Sequence, residues 1–119
     1  TSFQGWRVTL CRNQVHFTRY FSDKQYGGEQ AALEAALAVL PSRDPQGRLY
    51  LPFVWQQPLA LRKAIVRRYL QENSVADISE EMVLAIVDIL PAESSVSRVN
   101  LPGDRQAIRR ERRLVITSV

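Results

Sequence analysis

Cysteine is nearly absent from this chain. The single one, Cys11, cannot close an internal disulfide and has no Cys or His neighbours at metal-ligand spacing. That excludes a disulfide scaffold and favours a reducing compartment. Histidine is as scarce, with His16 alone, so a zinc cluster is excluded as well. No apolar run approaches the roughly 20 residues that a membrane helix needs. The opening residues lack the basic-then-apolar pattern of a secretory signal. The expected location is cytoplasmic, with no membrane partner. Catalytic signatures are missing too: no glycine-rich phosphate loop, no nucleophile elbow and no metal-spaced ligand set. The acidic residues gathered between positions 77 and 93 have no basic or histidine partner for nuclease chemistry. The chain therefore reads as a non-enzymatic protein with no cofactor, no metal and no evident small-molecule substrate.

What is present is an uneven spread of charge. The net charge of +4 is mild, but residues 1–40 carry four basic and three acidic side chains, 41–73 six and two, 74–97 none and five, and 98–119 six and two. Neutral, basic, acidic and basic blocks alternate. Of the 16 basic residues 14 are arginine, whose planar fork suits phosphates and guanine edges better than lysine does.

Hydrophobic periodicity places the elements. Trp6, Val8 and Leu10 alternate with Arg7, Thr9 and Cys11, the period of a half-buried strand. After a polar break at residues 12–14, where Asn13 suits a turn, residues 15–22 read as a second strand and close an antiparallel hairpin. Val15, Phe17 and Phe21 share one face with His16, Thr18 and Tyr20 opposite. Arg19 interrupts that alternation and suggests a bulge or twist. A loop through Gly27 and Gly28 leads to a helix over 29–40, with Leu33, Ala36, Leu37 and Leu40 along one stripe and small alanines that allow a close approach to a sheet. Pro41 ends it.

Residues 41–58 read as a linker packed down by Tyr50, Phe53 and Trp55. A second helix starts near Pro58 and runs to about Asn73, with Arg62 inside its apolar arc in need of a partner. Asp77 and Glu80 resemble a capping box for a helix over 78–90, which is apolar around much of its surface and so is expected to be buried in this chain or against a partner. A short strand is expected at 96–101 and another at 114–117; residues 105–113 are arginine-dense and read as helical or extended. The fold class is α+β: a small antiparallel sheet, a hairpin with room for a third strand, packed against one helix and followed by a helical second half. The expected organisation is a sheet-plus-helix unit at 1–40, a linker at 41–58 and a helical extension at 59–119 with a basic C-terminal segment.

The segment "GWRVTLCRNQVHFTRYFSDKQYGGEQAALEAA" resembles the AP2 DNA-binding domain in its bacterial and phage variety. A Gly-Trp-Arg-Val strand, a short turn, a strand ending in Tyr-Phe-Ser-Asp, a Tyr-Gly-Gly loop and an alanine-rich helix carry the resemblance over about a third of the chain. It implies a three-stranded antiparallel sheet with a helix on one face and DNA on the other. Too few residues precede Trp6 for the family's first strand, and Leu114–Thr117 or a strand exchanged within a homodimer is a candidate replacement. The resemblance implies a DNA-binding protein, a transcription regulator or a mobile-element accessory factor, with double-stranded DNA as partner and the sheet in the major groove. The alternation then points Arg7, Thr9, His16 and Thr18 at DNA, with Arg12 at the turn and Arg19 beside it. Lys24 suits phosphates, as do Lys63 and Arg67. Arg109, Arg110, Arg112 and Arg113 form a basic run able to grip the backbone. The alternative is a protein–protein interaction or oligomerisation module, with the 78–90 helix as its surface and no nucleic-acid contact.

Overall fold

The computed structural model describes residues 4–12, 15–38, 48–91 and 94–118; the side chains of residues 11, 12, 15–17 and 53 lie outside that description. The order of elements is β1 (Gly5–Arg12), β2 (Val15–Ser22), α1 (Asp23–Tyr26), α2 (Glu29–Ala38), β3 (Leu49–Tyr50), α3 (Leu51–Trp55), α4 (Leu59–Glu72), α5 (Glu80–Ile89), β4 (Arg98–Leu101), β5 (Arg105–Arg110) and β6 (Arg113–Ser118). The class is α+β, with one two-stranded and one four-stranded antiparallel sheet.

The hairpin forms as its alternation predicts, but without a bulge. Its register runs unbroken from Gly5↔Ser22 to Arg12↔Val15. Directly opposed residues share a face, so Val8↔Arg19 puts Arg19 on the same side as Trp6, Val8 and Phe21. Arg19 stays exposed there by lying over the Phe21 ring, its guanidinium carbon 4.9 Å from the centroid. A long stem lets an arginine keep an apolar-face position while its head reaches water. Behind the hairpin, Ala32 and Ala36 of α2 are fully buried and meet the layer that contains Val8 and Phe21. Leu33 and Leu37 are only half-buried and line a groove towards α4. The alanines, not the leucine stripe, thus make the close approach to the sheet. Where a loop was expected, Ser22 caps the single turn α1 by accepting from the Gln25 N–H at 3.0 Å, and Gly27 ends it in the left-handed region at φ 87°. The Asn13 turn, and the end of the helix at Leu40 and Pro41, lie outside the described residues.

The expected linker contributes to the core by its aliphatic residues. Leu49, Leu51 and Val54 are buried, whereas Trp55 is 44% exposed and Tyr50 is half-buried. Pro52 stands in the first turn of α3, where its missing N–H costs nothing. In α4, Leu61, Ile65, Val66, Tyr69 and Leu70 are buried, and Arg62 finds its partner in two ways: its Nε donates to the Gln57 carbonyl at 3.0 Å and its guanidinium lies 4.4 Å from the Trp55 ring centroid. The cap of α5 is Ser79, whose hydroxyl accepts from the Met82 N–H at 3.1 Å. Asp77 instead occupies a left-handed turn position at φ 54°. The apolar character of α5 is accounted for inside this chain, because Val83, Ile86, Val87 and Ile89 are all buried. Each such burial contributes about 1.5–3 kcal/mol.

The second half is not wholly helical. Residues 98–118 make a meander, and with β3 the sheet order is β3-β6-β5-β4. The strand around Leu114–Thr117 therefore pairs with β5 and β3, not with the hairpin, which remains two-stranded among the described residues. The inner face of the meander carries Leu101, Ala107 and Leu114 into the same core cluster that holds Val8 and Phe21. Helix α4 connects the two ends of that cluster: its Tyr69 hydroxyl donates to the Leu114 carbonyl at 3.1 Å. Just before it, the Gln57 side chain reaches the edge of β1. No helix among the described residues is long and apolar enough to cross a membrane.

Candidate nucleic-acid interface

Two strand faces are open to a ligand, and they differ in charge. On the hairpin, the side away from α2 shows Arg7, Thr18 and Tyr20 exposed and Thr9 half-buried. Pro58, Ala60 and Leu61 flank Arg7 and Tyr20. The outer edge of β1 is closed at Thr9 by the buried Gln57 side chain, whose Nε2 donates to the Thr9 carbonyl at 2.8 Å while its Oε1 accepts from the Thr9 N–H at 2.7 Å. This amide acts as a one-residue substitute for a neighbouring strand. It satisfies two backbone groups that would otherwise be left unpaired in a part-buried site. Among the predicted contact residues, Arg7, Thr9 and Thr18 share this face, Arg19 lies on the opposite one, Lys24 is exposed on α1, and the Arg12 and His16 side chains lie outside the described residues. Arg7 is thus the one described arginine of the hairpin's open face.

The meander's outer face is more basic. Strand alternation puts Gln106, Ile108 and Arg110 of β5 outward, opposite Thr117, Val115 and Arg113 of β6. Across β4 they meet Asn100 and Arg98, and Tyr50 of β3 extends the face beyond Arg113. Arg110 and Arg113 stand directly opposite each other, with Arg98 one diagonal step away. Like charges so placed destabilise a sheet. Arg113 reduces the conflict by leaning over the Tyr50 ring at 5.4 Å and donating to the Glu111 carbonyl at 3.2 Å. Arg98, Arg110 and Arg112 have no ion pair among the described residues and are exposed. No acidic residue occupies a strand position on this face; Asp104 and Glu111 lie in the turns. Gln106 donates to Asn100 at 3.0 Å, which holds the polar end of the face in one arrangement.

The β5–β6 turn is strained. Glu111 and Arg112 have φ of 52° and 64°, the conformation of a two-residue turn in which Asn-Gly is at ease. Side chains with a Cβ pay about 1–2 kcal/mol each there.

The inner face of β5 uses arginine differently. Arg105 and Arg109 point at the C-terminal ends of the two long helices. Arg105 donates to the Asn73 carbonyl at the end of α4 at 2.7 Å. Arg109 donates to the Ile89 carbonyl at 2.7 Å, to the Pro91 carbonyl, and to the Ser94 carbonyl at 3.0 Å, just past α5. Neither helix has a basic residue in its own last turn, so β5 supplies the cations that their orphan carbonyls and dipoles favour. Arg109, expected to grip DNA, is engaged inside the protein. Sequence reasoning missed this role because the partner carbonyls are 15 to 20 residues away. The one available signal was the i, i+2, i+4 spacing of Arg105, Ala107 and Arg109, with the small Ala107 fully buried between them.

Lys63 and Arg67 are also paired. Both contact the Glu80 carboxylate, Arg67 at 3.0 Å, and tie α4 to the start of α5. Arg68 forks onto Glu34, tying α4 to α2, with one of its two contacts at 3.0 Å. The hydrogen bond from Lys63 holds the Glu80 carboxyl below the usual carboxylate range, and that from Arg68 does the same for Glu34. The Glu34 hydrogen bond in turn raises Arg68.

No family model, no curated protein and no solved structure matches this chain. The functional reading rests on the two faces.

Proposed function

We propose that this is a non-enzymatic, cytoplasmic DNA-binding protein that meets duplex DNA with the outer face of its C-terminal meander, and that the hairpin face makes a secondary contact. The observation that carries this reading is the set Arg98, Arg110 and Arg112, exposed and without an ion pair among the described residues, gathered at one end of the outer face and its turn beside Arg113. Exposed arginines gathered on one face repel one another when no ligand is bound. A polyanion relieves that repulsion, and each phosphate neutralised releases a counterion. Backbone strain retained against an easier alternative is a recognised sign of a working surface. A curved antiparallel ribbon fits the major groove, where arginine pairs with guanine in a bidentate manner. Under this reading the resemblance of residues 5–40 to the AP2 domain describes the secondary face.

Fluorescence anisotropy of the full chain on a short labelled duplex tests the proposal. Affinity should fall steeply between about 50 and 200 mM salt, with a log–log slope of about −3 to −4 for four arginine contacts. Replacing Arg98, Arg110 and Arg113 by alanine should flatten that slope by about one unit per arginine. No duplex binding at about 50 mM salt, or an unchanged slope in the triple variant, would overturn it.

For the interaction-module alternative, α5 keeps its acidic residues Glu80, Glu81 and Asp88 exposed, but its apolar side is buried in this chain and Leu84 alone among its large apolar residues stands exposed.

A further inference from the structure

Beside the basic face lies a cleft of about 380 Å³. Leu51, Pro52, Leu90 and Pro91 line it together with the Trp55 ring. Its remaining wall comes from Arg109 of β5 and from the β5–β6 turn, through Glu111 and Arg112. The volume is in the range of small-ligand sites, and a mostly apolar lining with a few polar groups is their usual make-up.

Three features give the cleft a direction. Trp55 is a large aromatic left 44% exposed, though it sits in a segment whose neighbours Leu51 and Val54 are buried. Arg62 lies over this ring at 4.4 Å and is not among the residues that line the cleft, so a contact outside the cleft braces the ring. The turn that closes the cleft belongs to the same hairpin that displays Arg110 and Arg113 on the outer face, so cleft and arginine face are continuous through Arg112.

We propose that the Trp55 cleft receives an unpaired nucleobase of a single strand whose phosphates lie on Arg112 and Arg110. This rests on the nucleic-acid reading above and adds a substrate class to it, a strand end or a melted stretch next to the duplex. A base stacks on an aromatic ring whatever its identity. Glu111 also lines the cleft, and a carboxylate brought to a bound base would accept from an exocyclic amine, which favours cytosine or adenine over thymine.

The test compares two labelled oligonucleotides of equal length, oligo-dC and an abasic strand with the same phosphates. The wild-type full chain should bind oligo-dC about tenfold more tightly, the effect of one well-stacked base. Trp55→Ala should abolish that preference and leave duplex affinity and its salt slope unchanged; Trp55→Phe, which keeps a stacking surface, should retain most of it. Equal binding of the two strands by the wild type, or a preference that survives Trp55→Ala, overturns the cleft while leaving duplex binding standing. Loss of binding to every strand and duplex tested overturns both proposals.

Discussion

The hairpin and the meander are both antiparallel, both have one face in the shared core, and both present arginine to solvent. They differ in how arginine is used. On the hairpin, the described arginines are separated by the pleat: Arg7 faces away from α2 and Arg19 lies over Phe21 on the other side. On the meander, alternation sorts six positions of β5 into two working sets. Arg105 and Arg109 turn inward to close helix ends, while Arg110 turns outward with Arg98 and Arg113, and Arg98 and Arg110 have no ion pair among the described residues. One residue type therefore serves as internal cap on one side of a strand and as an unneutralised surface on the other. Composition does not separate these uses; the phase of the strand does.

The comparison can be broken at several points. The largest effect is expected in the core under the meander. Leu114→Ala removes a fully buried side chain and should cost about 2–5 kcal/mol of stability by denaturant unfolding. If it also unfolded the hairpin in the same transition, the two regions would share one cooperative core, as the continuous cluster from Val8 to Leu114 implies. Next, Arg109→Ala strips the donors from the Ile89 carbonyl that ends α5 and from two carbonyls past it, and should cost about 1–3 kcal/mol without altering the salt slope on DNA. A flattened slope with unchanged stability would return Arg109 to the DNA surface. Gln57→Ala is its counterpart on the hairpin. It leaves the Thr9 N–H and carbonyl without their partner, and should speed amide exchange at Thr9 and its neighbours while protection in β5 and β6 is retained.

Smaller in stability but sharper in meaning is Arg112→Gly. Glycine relaxes the φ of 64°, so the variant should be more stable by about 1 kcal/mol and bind DNA more weakly. Stability and binding moving together in either direction would contradict the link between strain and function. The smallest effect concerns the ion pairs of α4. The folded carboxyls of Glu34 and Glu80 are lowered from 4.5, so their contribution is fully present above 4.5 and is lost as pH falls below it through the lowered folded values. Glu34→Gln should make the stability–pH curve slightly flatter below pH 4.5. The change should be modest, because both carboxylates are exposed.

Local pattern was enough to place the hairpin strands, α2, α4 and α5 along the chain, since apolar residues recur in each at strand or helix spacing. It was also enough to place Trp6, Val8 and Leu10 on the helix side. It failed where a residue's role depends on a distant partner. Arg19 looked like a break in the strand because a charge at an apolar position has no local explanation; its packing over Phe21 supplies one. Residues 105–113 were ambiguous because arginine is tolerated in helix and strand alike, and only pairing with 98–101 and 113–118 decides between them. The third strand expected for the hairpin was assigned to the right segment type but the wrong sheet, because strand propensity carries no information about partners. Gln57 gave no signal at all: the second of two glutamines between Trp55 and Pro58 looks like linker, and its clamp on Thr9 spans 48 residues.

The decisive measurement is amide chemical-shift mapping of the full chain titrated with a short GC-containing duplex. Perturbations concentrated at Arg98, Asn100, Gln106, Ile108, Arg110 and Thr117, with weaker ones at Arg7 and Thr18, are the predicted result. Perturbations confined to β1 and β2, with β4 to β6 unmoved, would contradict the assignment of the DNA surface to the meander.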